Sequence, residues 1–91
     1  MEHVEGKDKG NIMLYAISTC GWCKKTKQFL RDLGVGYDFI DVDLLEKDEK
    51  EKIEEEVKKC NPRRTYPTVI VNERCIPGFR KDDIKEAIEN G

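Results

Sequence analysis

Apolar and polar residues follow two rhythms along this chain, and each switch between them marks an element. Residues 1–10 (Met-Glu-His-Val-Glu-Gly-Lys-Asp-Lys-Gly) follow neither rhythm and are expected to form a disordered N-terminal tail. Asn11–Ile17 is a continuous apolar run of strand length, the pattern of a strand covered on both faces. Thr26, Phe29, Leu30 and Leu33 then recur at i, i+3, i+4 and i+7, a core-facing helical stripe. Ser18 or Thr19 can cap this helix, and Gly34 supplies its stop. Tyr37–Val42 reads as a second strand, with Ile40 and Val42 on one face and Tyr37 and Phe39 on the other. Such a β-α-β unit joins two parallel strands by a right-handed crossover.

Glu46–Lys59 is almost wholly charged, yet Ile53, Val57 and Cys60 fall at i, i+4, i+7 and draw one narrow apolar stripe. Glu46/Lys50, Asp48/Lys52, Glu54/Lys58 and Glu55/Lys59 are spaced as i,i+4 pairs with the acid leading, so the run reads as the solvated face of a helix. Asn61-Pro62 ends it. Pro67–Val71 is a β-branched strand, and Asn72-Glu73-Arg74 turns it into Cys75-Ile76 as an antiparallel hairpin. A last helix is expected from near Asp83, with Glu86 as capping-box partner and Ile84, Ala87 and Ile88 buried. The predicted order is β-α-β-α-β-β-α.

Composition narrows the field. Ninety-one residues hold one domain, here 11–91 after the tail. Seventeen Lys and Arg against nineteen Asp and Glu leave no basic excess for nucleic acid. The longest apolar run, Ile12–Ile17, is far short of the roughly 20 residues of a membrane-spanning helix. The first ten residues have no apolar stretch, so no secretory signal is read there and a cytoplasmic location is expected.

The four cysteines, Cys20, Cys23, Cys60 and Cys75, admit three readings. A secreted disulfide scaffold is normally denser in cysteine and poorer in Lys and Glu. A four-cysteine zinc site normally pairs two close-spaced knuckles, and only Cys20 and Cys23 are close. A redox C-x-x-C sits at a strand-to-helix junction in a chain with βαβ pattern, which is where Cys20-Gly-Trp-Cys23 falls. At a helix start, unpaired N–H groups and the positive end of the macrodipole favour a thiolate. Cys20 is therefore the expected nucleophile, with Lys24, Lys25 and Lys27 adding positive charge. Cys23, near one turn on, is the expected resolving thiol. Gly21 leaves the approach to Cys20 open, and Trp22 is expected on the surface beside the thiols. Cys60 reads as a buried small hydrophobe and Cys75 as more accessible, with a regulatory disulfide or dimer contact through either left open. His3, alone in the tail, is not read as a ligand.

Cys20-Gly-Trp-Cys23 after an apolar strand, Thr65-Tyr-Pro67 before Thr-Val-Ile-Val, and the Gly78 segment before the last helix together resemble a glutaredoxin of the thioredoxin superfamily. The resemblance covers residues 11–89. It implies an α/β thioredoxin-like fold, a four-stranded mixed sheet flanked by three helices, with Cys20 and Cys23 as attacking and resolving thiols. It further implies that Pro67 is cis and lies against the active site, and that the Tyr66 backbone pairs with a bound peptide or glutathione. Gly21, Trp22, Arg64, Thr65, Gly78 and Phe79, with Asp82 or Asp83, are the other binding candidates. The implied activity is dithiol reduction of protein disulfides or glutathione mixed disulfides by a monomer, with glutathione as co-substrate and no bound cofactor or metal.

Three features depart from the glutaredoxin pattern. Gly-Trp stands where Pro-Tyr is usual, Ile17 replaces the Lys shortly before the cysteines, and Gly78-Phe79 replaces a glycine pair. Gly78-Phe-Arg-Lys-Asp82 looks more like the redoxins that serve ribonucleotide reductase and are reduced by a thioredoxin-reductase-type flavoenzyme, which is the alternative reading. Cluster-binding glutaredoxins are usually monothiol, so Cys23 argues against an iron–sulfur module.

Overall fold

The continuous apolar run of the sequence becomes the middle of a sheet. In the computed structural model, which describes residues 2–90, the strands are β1 (Glu2–Val4), β2 (Ile12–Ala16), β3 (Tyr37–Asp41), β4 (Thr68–Val71) and β5 (Arg74–Pro77). The helices are α1 (Gly21–Asp32), α2 (Lys47–Cys60) and α3 (Lys81–Asn90), and a short 3-10 turn spans Val42–Leu44. The sheet order is β1-β3-β2-β4-β5. β2 and β3 run parallel with Leu14 opposite Phe39, while β4 lies antiparallel to β2 with Val69 opposite Leu14. The β2-α1-β3 unit is the parallel crossover expected from the two periodicities.

Two cores flank the sheet. Leu14, Ala16, Val69 and Val71 pack with Leu30 of α1 and with Ile84, Ala87 and Ile88 of α3. On the opposite side Tyr15, Ile40 and Val42 pack with Val57 of α2. The alternation read along β3 therefore holds, with Tyr37 and Phe39 in the first core and Ile40 in the second. β2 contributes to both cores, which is why its sequence shows no polar face.

The sheet has five strands, not four, because residues 2–4 do not form a disordered tail. They pair antiparallel with the outer edge of β3, Val4 opposite Tyr37, and His3 Nδ1 meets Asp38 Oδ1 at 2.8 Å. Lys7 and Gly36 then exchange backbone hydrogen bonds with their neighbours, Lys7 N–H to Gly34 O and Gly36 N–H to Lys7 O, both 2.9 Å. Gly6 allows this approach: a Cβ there would sit 2.4 Å from the Val35 carbonyl carbon. The glycine that suggested disorder serves close backbone contact. A three-residue edge strand with one half-buried side chain carries too little pattern to be read in advance.

Three smaller differences follow from local chemistry. α3 begins at Lys81 rather than near Asp83, since Ile84 N–H already reaches Arg80 O, and Asp82 and Asp83 fall at its positive end. Among the described residues none of the four expected i,i+4 pairs on α2 closes within 4 Å; Glu54 instead faces Arg64 at 3.9 Å. These charges lie on an exposed face, where such pairs contribute little and side-chain entropy opposes them. Cys60 is half-buried, not a buried hydrophobe, and is disulfide-bonded to Cys75.

Leu30→Ala should cost about 2–5 kcal/mol in denaturant unfolding, because Leu30 is fully buried between α1 and the sheet. Glu55→Ala, on the exposed face of α2, should stay within about 0.5 kcal/mol. Equal losses for the two would contradict this core.

Candidate active site

After β2 the chain turns through Ile17–Thr19, closed by Cys20 N–H to Ile17 O at 3.0 Å, and enters α1. Neither Ser18 nor Thr19 caps the helix. Cys20 does so itself, with extended backbone (φ −84°, ψ 121°) and its Sγ accepting the Cys23 N–H at 3.3 Å. Ser18 is held elsewhere: its N–H and hydroxyl donate to the Asp43 carboxylate at 2.8 and 2.5 Å. These bonds hold Asp43 below its ordinary carboxylate range and tie the turn to the 3-10 turn that follows β3.

The two thiols are free and lie in unlike surroundings. Cys20 is half-exposed; Cys23 is buried, its Sγ accepting Ile17 N–H at 3.4 Å. Burial alone would raise the Cys20 pKa, but hydrogen bonds from the Cys23 thiol and from the Cys23 and Trp22 N–H groups outweigh it and hold Cys20 below a normal thiol. For Cys23 burial dominates, and the hydrogen bond and charge of Cys20 add to it, so its thiol is pushed up to about 12. Ile17 N–H and the Lys27 charge act the other way. The N–H groups at the helix start thus lower Cys20 as expected, joined by the Cys23 thiol, while the three lysines are not among the causes. Lys27 turns inward to Asp41 at 3.2 Å, and Lys25 lies over the Trp22 ring at 4.5 Å.

A second segment, residues 61–67 with Gly78, meets the same core through Tyr66. The Tyr66–Pro67 bond is cis, and Pro67 is buried. Gly78 N–H donates to Pro67 O at 2.7 Å from a positive φ of 83°, a backbone conformation that suits glycine. Cys20, Tyr66 and Phe79 all pack against the edge of one core. Trp22 is 57% exposed, as expected, and its ring stands 5.8 Å from Phe79, which meets Phe29 edge-on at 5.9 Å. A Cβ at Gly21 would touch nothing within 4 Å, so the space beside this residue is open.

The other residues picked from the sequence are held in different ways. Arg64 has φ 50° and points to Glu54 on α2, while Arg63 lines a shallow pocket of about 400 Å³ with Thr65 and Gly78. The Thr65 hydroxyl accepts from Asn61 Nδ2 at 2.8 Å and so helps hold the loop. Asp83 lies 3.6 Å from Arg80, and Asp82 and Asp83 line a pocket with Phe79 and Lys81 at the start of α3. Sequence reading missed Arg63, the Ser18–Asp43 bonds and Asn61, which had signalled only a helix end. Buried Asn61 bonds Thr65 and Thr68, and it accepts Arg63 N–H at 3.2 Å. Only the Asn-Pro pair hinted at this. The four cysteines form two separate pairs, so they do not converge on one four-thiolate site.

The family model for glutaredoxin matches residues 12–76. The chain belongs to the glutaredoxin family. A glutaredoxin-like 8.6 kDa protein from the rubredoxin operon of Clostridium pasteurianum is 36% identical over 78 residues, 86% of this chain and 97% of that protein. The glutaredoxin of Methanosarcina mazei superposes with a TM-score of 0.91 at 46% identity, covering 96% of this chain and 85% of its own. A buckwheat glutaredoxin in complex with glutathione superposes with a TM-score of 0.66 at 26% identity, covering 88% of this chain and 69% of its own. Family membership brings thiol–disulfide oxidoreductase chemistry and a thioredoxin-like fold with it.

Iodoacetamide should alkylate Cys20 with a pH midpoint below the roughly 8.5 of a free thiol, while Cys23 stays unmodified at that pH. Peptide mapping after timed alkylation measures both. A Cys20 midpoint at or above that of a free thiol would contradict the cap geometry.

Proposed function

We propose that this glutaredoxin is a dithiol disulfide reductase in which Cys20 attacks and Cys23 resolves. The observation that carries the reading is the unequal placement of two adjacent thiols: Cys20 is half-exposed and its Sγ caps α1, accepting the Cys23 N–H at 3.3 Å, whereas Cys23 is buried behind it. The Cys20 thiolate attacks one sulfur of a disulfide R–S–S–R′, forms Cys20–S–S–R and expels R′S⁻, which takes up a proton. Cys20 has then lost the charge and hydrogen bond that hold the proton on Cys23, while Ile17 N–H and Lys27 still favour its loss. Cys23 gives up its proton, attacks Cys20 Sγ, and releases RS⁻ to be protonated. One disulfide becomes two thiols, and two electrons leave the Cys20–Cys23 dithiol. Occupation of Cys20 thus eases the loss of the Cys23 proton, which favours this order of the two steps.

Residues next to Cys20 and Pro67 suit an extended thiol substrate. The Tyr66 backbone before Pro67, the open Gly21, the Trp22–Phe79 pair, and Arg63 with Thr65 and Gly78 are the proposed contacts. Glutathione is the proposed co-substrate, two molecules restoring the dithiol and leaving as the oxidised dimer; the family and the buckwheat complex support it. A flavoenzyme reductant is the second reading, favoured by Phe79 in place of glycine and by Arg64 turned toward Glu54.

Cys20→Ser should abolish disulfide reduction, and retained turnover would sink the assignment. Cys23→Ser should lose protein disulfides as substrates while keeping glutathione mixed disulfides. Offering the oxidised protein either glutathione with its reductase or a thioredoxin-reductase-type enzyme separates the two readings. Reduction by glutathione is expected; reduction by the flavoenzyme alone would favour the second.

A further inference from the structure

Cys60 and Cys75 are bonded to each other with their Cα atoms 5.6 Å apart. The bond joins the last residue of α2 to β5, an edge strand that pairs only with β4. Each cysteine leads directly into one of the two segments that meet at the Gly78–Pro67 hydrogen bond, and Tyr66 and Phe79 beside that bond pack on the same core as Cys20. Asn61 follows Cys60 and shapes the loop that delivers Tyr66-Pro67: Nδ2 donates to Thr65 O at 3.2 Å and to Thr68 Oγ1 at 3.3 Å, and its main-chain O accepts Arg64 N–H at 2.8 Å. Ile76 and Pro77 follow Cys75 and lead to Gly78, which donates to Pro67 O. Disulfide, loop and Gly78–Pro67 hydrogen bond therefore close one ring, and Pro67 stands at its far side.

We infer that Cys60–Cys75 is a positioning disulfide: it holds the Thr65–Pro67 segment and Gly78 in register before Cys20, and it stays oxidised while Cys20 and Cys23 cycle. The second clause follows from where the sulfurs sit. Cys20 caps a helix N-terminus and has N–H donors for a thiolate, whereas Cys60 ends a helix, where unpaired carbonyls meet it. A thiol attacking the exposed Cys75 sulfur must expel Cys60 as a thiolate into those surroundings, and the leaving thiol's acidity governs such exchange. Of the two sulfurs the exposed Cys75 is the more accessible, since Cys60 is half-buried. No electrons pass through this pair during turnover.

Three readouts test this, of which only the last rests on the activity proposed above. First, wild-type protein is poised with just enough dithiothreitol to open Cys20–Cys23, then acid-quenched, denatured, alkylated with N-ethylmaleimide and mapped. Two labels, on Cys20 and Cys23, are expected; labels on all four cysteines would overturn the persistence of the second bond. Second, amide hydrogen exchange is compared between wild type and the double variant Cys60→Ser, Cys75→Ser. Residues 63–66 and 78–79 should exchange about ten-fold faster or more while 24–32 do not change. Uniform acceleration, or none, would reduce the bond to a general staple. If the double variant does not fold, the same comparison is made on wild type with two and with all four thiols reduced. Third, the double variant should show KM for a disulfide substrate raised about three-fold or more, with the Cys20 alkylation midpoint unchanged. An unchanged KM would overturn positioning, whereas no turnover by wild type itself would count against the proposed activity and leave the first two readouts to judge the disulfide.

Discussion

The hydrogen bond from Cys23 N–H to Cys20 Sγ is the contact on which the rest of the site depends. It makes the reactive sulfur the cap of its own helix, so the group that stabilises the thiolate also starts α1. A helix beginning here directs Thr26 and Leu30 into the core between sheet and α3, and that packing fixes the helix axis. The same axis buries Cys23 beneath Cys20. Fold and chemistry are coupled at one residue, and moving the helix start by one position would lose both.

From that geometry comes an asymmetry with a direction in time. Cys20 is lowered because donors converge on it; Cys23 is raised chiefly by burial and further by the charge of Cys20. Once Cys20 is bonded to substrate, the added hold on the Cys23 proton is gone, while Ile17 N–H and Lys27 remain. The segment 61–67 with Gly78 acts on the substrate rather than on the thiols. Asn61 and the Cys60–Cys75 bond organise it, and among the described residues neither makes a hydrogen bond to α1. Activation and positioning are thus built from separate parts of the chain.

Most of the fold was legible because its elements are long or strongly patterned. The apolar run of β2, the Thr26/Phe29/Leu30 stripe of α1 and the β-branched β4 each have one structural solution in a chain this short. What escaped has short range or no period. Glu2–Val4 is three residues long and recruits β3 through backbone bonds, to which side-chain pattern is blind. The helix cap went to a sulfur rather than to the hydroxyls of Ser18 or Thr19, since propensity ranks oxygen acceptors first and Asp43 had claimed Ser18. Cys20 and Cys23 were found because their spacing is local, whereas Cys60 and Cys75 meet only after α2 and the β4–β5 hairpin have formed. Arg63 and Arg64 were indistinguishable in sequence, and a positive φ at Arg64 decides which one faces Thr65 and Gly78.

The central claim is that one sulfur, at the start of α1, receives every incoming disulfide. It is tested most directly by trapping. A Cys23→Ser variant is mixed with a small disulfide, quenched with acid and digested, and the adduct is located by mass. A single mixed disulfide on Cys20 is expected. An adduct on Cys60 or Cys75, or none on Cys20, would contradict it.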